Sequence, residues 1–128
     1  RLSRLVKKHN LSDRVNINGI KEDLREVYLS YDAFLMSSRY EGFGLVTLEA
    51  MECGLPVIAF DIPANRELVV DSKNGILINC YDVNKFANAM NLLANSLDLR
   101  KKFADNSYLS TDRFSENLTL SKWLEILK

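Results

Sequence analysis

Three short runs of consecutive apolar residues, Ala33-Phe-Leu-Met36, Pro56-Val-Ile-Ala-Phe60 and Ile76-Leu-Ile78, stand out, and helical spacing fills the stretches between and after them. A strand with no polar alternation is buried on both faces, so helices must cover both sides of its sheet. Strands that alternate with helices pair in parallel, because each crossover returns the chain to the same end of the sheet. The fold class is therefore α/β, a parallel sheet with flanking helices. A further short strand is expected at Val15-Asn-Ile-Asn18, where apolar and polar residues alternate, making about four strands. In such sheets ligands bind beyond the carboxyl ends of the strands, at loops that lead into helices. Residues 37–44 form a loop of that kind.

Helices punctuate the rest. The first ten residues carry apolar side chains only at Leu2, Leu5 and Val6, which is helical spacing, and Leu11-Ser-Asp-Arg14 makes a turn. A second helix is expected from about Lys21 to Tyr31, with Leu24, Val27, Tyr28 and Tyr31 on one face. A third begins after Gly44 and stops at Gly54, with Pro56 just beyond. A short helix containing Asn65 to Val70 precedes the turn Asp71-Ser-Lys-Asn-Gly75, and from about Asp82 the pattern is helical to the end. The expected organisation is one unit, a sheet domain over 1–108 followed by a helical segment of the same domain over 109–128.

Composition excludes several functions. With 17 basic against 17 acidic residues, no global charge favours nucleic acid. No apolar run approaches the roughly 20 residues that span a bilayer, and no signal-peptide pattern opens the chain, which suggests a cytoplasmic address. Cys53 and Cys80 are isolated and read as buried free thiols rather than a disulfide or metal site. His9 is the only histidine and reads as a surface residue ending a basic helix, so a Ser-His-Asp triad has just that one candidate. Arg1, Arg4, Lys7 and Lys8 form either a solvated helix face or a peripheral contact with an anionic membrane. A chain that opens inside an amphipathic helix, without Met, is expected to be a piece of something longer.

Chemistry concentrates in Glu41-Gly-Phe-Gly-Leu-Val-Thr-Leu-Glu49. Gly42 and Gly44 let a ligand approach the backbone without meeting a Cβ. The amides of Phe43, Gly44, Leu45 and Val46 are expected to be unpaired at a helix start, ready for phosphate oxygens. Glu49 lies about 7.5 Å along that helix, and helical side chains lean back towards the N-terminus. A carboxylate there repels phosphate but accepts hydrogen bonds from vicinal hydroxyls, as ribose offers. Leu45, Val46, Leu48, Ala50, Met51 and Cys53 make the helix apolar nearly all round, which predicts burial of Glu49. Helical position alone does not choose between Glu49 and Glu52.

The stretch Ser38-Arg-Tyr-Glu-Gly-Phe-Gly-Leu-Val-Thr-Leu-Glu-Ala-Met-Glu-Cys-Gly-Leu-Pro-Val57 resembles the donor-site signature of the retaining family-4 glycosyltransferases, the group 1 glycosyl transferases of GT-B fold. Asp13-Arg-Val-Asn-Ile-Asn-Gly19, Tyr31-Asp-Ala-Phe-Leu-Met-Ser-Ser38, Asn65-Arg-Glu-Leu-Val69 and Asn74-Gly-Ile-Leu-Ile78 agree as well, so the likeness covers about residues 1–105. It implies a Rossmann-like C-terminal domain that binds a nucleotide-diphosphate sugar. It implies that Glu41 contacts the transferred sugar in a catalytic role, and that the backbone of Gly42, Phe43 and Gly44 holds its hydroxyls. Leu45 and Val46 would offer amides to the diphosphate, Glu49 would bind the ribose, and the Gly19-Ile20 turn would lie beside the base. The chemistry implied is sugar transfer with retention to a glycan or lipid-linked acceptor, in surface or capsular polysaccharide synthesis.

No Asp-x-Asp occurs, which fits an enzyme that needs no metal or other cofactor, its leaving diphosphate stabilised by cations and helix dipoles. The resemblance also has departures. The basic Arg and Lys pair that such enzymes place before this region has no counterpart here. The first two strands and the acceptor-binding N-terminal domain are also unmatched, so the chain alone is expected to be inactive. Leu118, Trp123, Leu124 and Leu127 read as either an interface with such a domain or ordinary packing. Competing readings are another GT-B enzyme, such as a sugar-nucleotide epimerase or a phosphorylase, and a non-catalytic α/β binding or signalling module. The paired glutamates argue against the first, and the lack of acidic residues in Val15–Asn18 against a receiver-like form of the second.

Overall fold

The computed structural model, which describes residues 1–127, has three strands, β1 (Phe34–Met36), β2 (Val57–Phe60) and β3 (Gly75–Ile78), in one parallel sheet of that order. All four residues of the central β2 are buried. Successive side chains leave a strand on opposite faces, so one strand feeds two cores. Val57 and Ala59 pack with Met36, Leu48, Met51, Leu68 and Val69 on one face. Ile58 and Phe60 pack with Ile78, Ala89, Leu93 and Phe103 on the other. Full burial of side chains such as Met51 and Ile58 contributes roughly 1.5–3 kcal/mol each.

The helices covering these faces follow the chain: α1 (Leu2–Lys8), α2 (Leu24–Leu29), α3 (Leu45–Glu52), α4 (Pro63–Leu68), α5 (Val83–Asn95), α6 (Leu97–Thr111), a 3₁₀ turn (Asp112–Phe114) and α7 (Glu116–Ile126). α3 and α4 supply the first core, α5 and α6 the second. Local chemistry sets their ends. Gly54 ends α3 at φ +75°, with its N–H on Met51 O (2.9 Å) and that of Leu55 on Ala50 O (3.1 Å), the double bond of a Schellman motif. Asp23 caps α2 through the amides of Arg25 and Glu26.

Fully buried Asn74 joins the amino end of the sheet to α6. Its Oδ1 accepts from Val70 N–H (2.8 Å), and its Nδ2 donates to Leu68 O (3.3 Å) and Ser110 Oγ (3.0 Å). Ser107 Oγ donates to Asn74 O, and Asn106 Nδ2 to Lys73 O, each at 3.0 Å. The Arg113 guanidinium then donates to the carbonyls of Glu67 and Leu68, closing the carboxyl end of α4.

Several expectations are corrected. Val15–Asn18 forms no strand, so the described residues hold three strands rather than about four. Four residues gain little unless a neighbouring edge pairs with them, and Val15 and Ile17 stay 37% and 50% exposed. The helix expected over Lys21–Tyr31 is confined to Leu24–Leu29, because Asp23 caps it late and Ser30 Oγ turns back to Val27 O. The helix expected to contain Asn65 to Val70 runs from Pro63, which suits a first helical position, and stops where Val69 turns extended. Both thiols are half-buried rather than buried. His9 is exposed at the end of α1, as expected. Helix α7 buries no residue, and Leu118, Trp123, Leu124 and Leu127 stay 48%, 59%, 53% and 75% exposed.

Gly75 is a steric requirement: a Cβ there would lie 2.4 Å from Val57 O and 2.8 Å from Val69 Cγ1. Backbone oxygen cannot yield as a flexible side chain can. Gly75→Ala should therefore lower the unfolding free energy by about 1–3 kcal/mol, read as an earlier midpoint in urea unfolding.

Candidate functional site

The carboxyl ends of the strands open onto residues 37–44, 61–62 and 79–82. The first of these loops turns into α3 at Gly44, which takes φ +87° and ψ 43°. Its carbonyl accepts from the amides of Thr47 (2.9 Å) and Leu48 (3.1 Å). Having no side chain, Gly44 offers the helix no cap bond. The amides of Phe43, Gly44, Leu45 and Val46 consequently donate to no protein group among the described residues. Four free donors at the positive end of a helix make an anion-binding geometry.

The two glycines of the loop differ. A Cβ on Gly44 would sit 3.4 Å from Leu68 Cδ1, and the positive φ strains any other residue. A Cβ on Gly42 would meet nothing within 4 Å. Packing within the chain thus gives no reason for glycine at 42, whereas a ligand lying against the backbone there would. Phe43 fixes the loop from the other side, its ring edge-on to Phe114 at 5.5 Å.

Glu41 is half-buried at the mouth of this loop, and the ion pairs Asp61–Arg66, Asp82–Lys85 and Asp32–Arg100 leave it unengaged. Glu49, predicted to be buried, is exposed. The buried face of α3 is Thr47, Leu48, Ala50 and Met51, while Leu45 and Val46 are 63% and 40% exposed, so the helix is apolar beyond the stripe it buries. Glu49 instead borders a groove of about 330 Å³ whose other walls include Lys21, Glu22, Leu24, Arg25, Tyr28 and Glu52. Tyr28 donates its hydroxyl to Glu49 Oε2 at 3.3 Å. Burial, then the neighbouring Glu49 charge, pushes the Tyr28 phenol above its ordinary value, which keeps the proton on the donor.

Gly42 to Val46 and Glu41 therefore share one loop and helix start, with Glu49 just over a turn further on. Gly19 and Ile20 do not join them as walls: Ile20 is fully exposed, and the groove begins at Lys21. Sequence reasoning missed Tyr28 as a partner of Glu49, because 21 positions separate them. It also missed the cations at the carboxyl edge. Arg39 lies over the Tyr81 ring at 5.2 Å, and Arg66 grips Asp61 through two bonds of 2.5 and 3.0 Å that hold the carboxyl below its usual range. A basic residue inside a loop following a strand was the available signal for Arg39.

The family described as glycosyl transferases group 1 matches residues 1–110. The chain belongs to this family. Among group 1 relatives, the amylovoran biosynthesis glycosyltransferase AmsD of Erwinia amylovora is 32% identical over 123 residues, 95% of this chain and 34% of AmsD. The poly(ribitol-phosphate) alpha-N-acetylglucosaminyltransferase of Staphylococcus aureus is 28% identical over 128 residues, 98% of this chain and 26% of its own. Anabaena HepE solved with UDP-glucose superposes at a TM-score of 0.91 and 27% identity, over 98% of this chain and 35% of HepE. The pneumococcal O-GlcNAc transferase GtfA, solved with UDP and GlcNAc, gives 0.87 and 28% over 98% and 26%. The fold is thus the Rossmann-like sheet domain of GT-B glycosyltransferases. The chain spans between a quarter and a third of the length of these curated relatives.

Gly44→Ala should cost about 1–2 kcal/mol of stability from backbone strain, whereas Gly42→Ala should stay within about 0.5 kcal/mol of the parent. Urea unfolding of the two variants checks this contrast.

Proposed function

We propose that this chain is the donor-binding part of a retaining, metal-independent glycosyltransferase that moves a sugar from a nucleotide-diphosphate donor to a glycan or lipid-linked acceptor. The observation that carries the reading is the row of free amides at Phe43–Val46, beside the open Gly42 and between two carboxylates. The amides and dipole of α3 receive the diphosphate and stabilise the charge that gathers on it as the glycosidic bond breaks. Glu41 faces the transferred sugar, where a carboxylate offsets the positive charge developing on the sugar ring. Glu49 accepts hydrogen bonds from the ribose hydroxyls, and the base lies towards Lys21, near the Gly19–Ile20 segment.

The names of the relatives support a role in surface or capsular polysaccharide synthesis, and UDP in the solved neighbours makes it the first nucleotide to try. We place the reaction in the cytoplasm, with acceptor contacts supplied by a further, N-terminal domain of the kind the longer relatives have room for. The basic face of α1 suits peripheral contact with an anionic membrane. Alone, the chain binds donor and transfers no sugar.

Calorimetric titration of UDP and UDP-glucose into the chain tests this reading. Glu49→Ala should weaken both ligands at least about tenfold, since losing one hydrogen bond to a charged group costs about 1.5–3 kcal/mol. Glu41→Ala should remove only the increment contributed by the sugar. A chain that ignores every nucleoside diphosphate and its sugars would sink the proposal, and sugar transfer by the chain alone would overturn its assigned dependence on a second domain.

A further inference from the structure

We infer that Tyr28 is a positioning residue for the donor: its hydroxyl fixes one oxygen of Glu49 so that the remaining lone pairs meet a vicinal diol. The inference rests on the donor-binding reading above and goes beyond it by naming the group that makes Glu49, rather than Glu52, the diol acceptor.

The geometry is asymmetric in a useful way. Glu49 is an exposed side chain on the outer face of α3, and a free glutamate there samples many rotamers. Tyr28 is anchored. Its ring is 9% exposed, packs with Ala50 and Leu55, and stands edge-on to Phe34 at 6.0 Å and 82°. A hydroxyl on so fixed a ring is a pre-set donor, and Glu49 Oε2 lies 3.3 Å from it. Oε1 and the second lone pair of Oε2 receive no hydrogen bond among the described residues. Two adjacent hydroxyls of a ribose need such a pair of acceptors on one carboxylate.

The other groups lining the groove do not take this place. Glu22 and Glu52 share its walls, but neither receives a tyrosine hydroxyl or any other hydrogen bond among the described residues, so neither carboxylate is held. Lys21 and Arg25 line the same groove but carry no acceptor, so neither can take the protons that a vicinal diol donates. Tyr28 thus answers the choice that helical position left open. By removing rotamer freedom before the ligand arrives, it lowers the cost of binding without touching the ligand itself.

The test separates positioning from simple packing of α2 on α3. UDP and 2′,3′-dideoxy-UDP are titrated calorimetrically into the chain and into its Tyr28→Phe, Glu49→Ala and doubly substituted forms, with urea unfolding of each as a control. Phenylalanine keeps the buried ring. The expected result is a loss of about three- to tenfold in UDP affinity for Tyr28→Phe, with dideoxy-UDP affinity unchanged and the double variant no weaker than Glu49→Ala. Equal weakening for both nucleotides, or wild-type UDP affinity in Tyr28→Phe while Glu49→Ala is impaired, overturns the positioning role and leaves the donor reading standing. If Glu49→Ala itself discriminates no less between the two nucleotides than the parent, or the parent binds neither, the ribose reading fails and takes this inference with it.

Discussion

The central strand β2 is the constraint on which the rest of the structure depends. Four consecutive apolar residues with both faces buried require two cores, and two cores require helices on both sides of the sheet. Parallel pairing then brings the carboxyl ends of β1, β2 and β3 to one edge, where the loops after them converge. At the opposite, amino end the close approach of β3 to β2 is possible because Gly75 has no side chain, and it sets the pairing of Val57 with Gly75. The site is therefore a consequence of sheet geometry: residues 37–44 lie where a parallel sheet delivers its loops, and Gly44 turns that loop into a helix whose first amides have no partner.

The C-terminal third stabilises this edge from a distance. α6 is tied to the turn before β3 through Asn106, Ser107 and Ser110. The turn that follows brings Arg113 to the end of α4 and Phe114 against Phe43. The ring of Phe43 thus links the loop to residues more than seventy positions later, while its amide remains free for a ligand. Beyond Ser115 the character changes, because α7 exposes Leu118, Leu120, Trp123 and Leu124 and buries none of them.

What was legible in the sequence was local or periodic. The runs at Ala33–Met36, Pro56–Phe60 and Ile76–Ile78 each became a strand, Gly44 and Gly54 took the positive φ that glycine allows, and Asp71–Gly75 turned, with its positive φ at Ser72. The long motif from Ser38 to Val57 carried the family, which the match over residues 1–110 shows. Val15–Asn18 was misread because a strand is defined by its partner, and its own alternation cannot supply one. Glu49 was expected to be buried because Leu45 and Val46 look like core residues, yet both face outward at the start of α3. The contacts of Tyr28 with Glu49 and of Phe114 with Phe43 escaped notice because they join residues far apart in the chain, which periodicity does not encode.

The central claim is that the free amides opening α3 receive the diphosphate. Backbone amide NMR of the chain during titration with UDP tests it most directly. The account predicts that the signals of Phe43, Gly44, Leu45 and Val46 shift first and furthest, with Glu49 and Tyr28 following when the ribose is present. Shifts confined to α5 and α6, with these four amides unmoved at saturation, would contradict it.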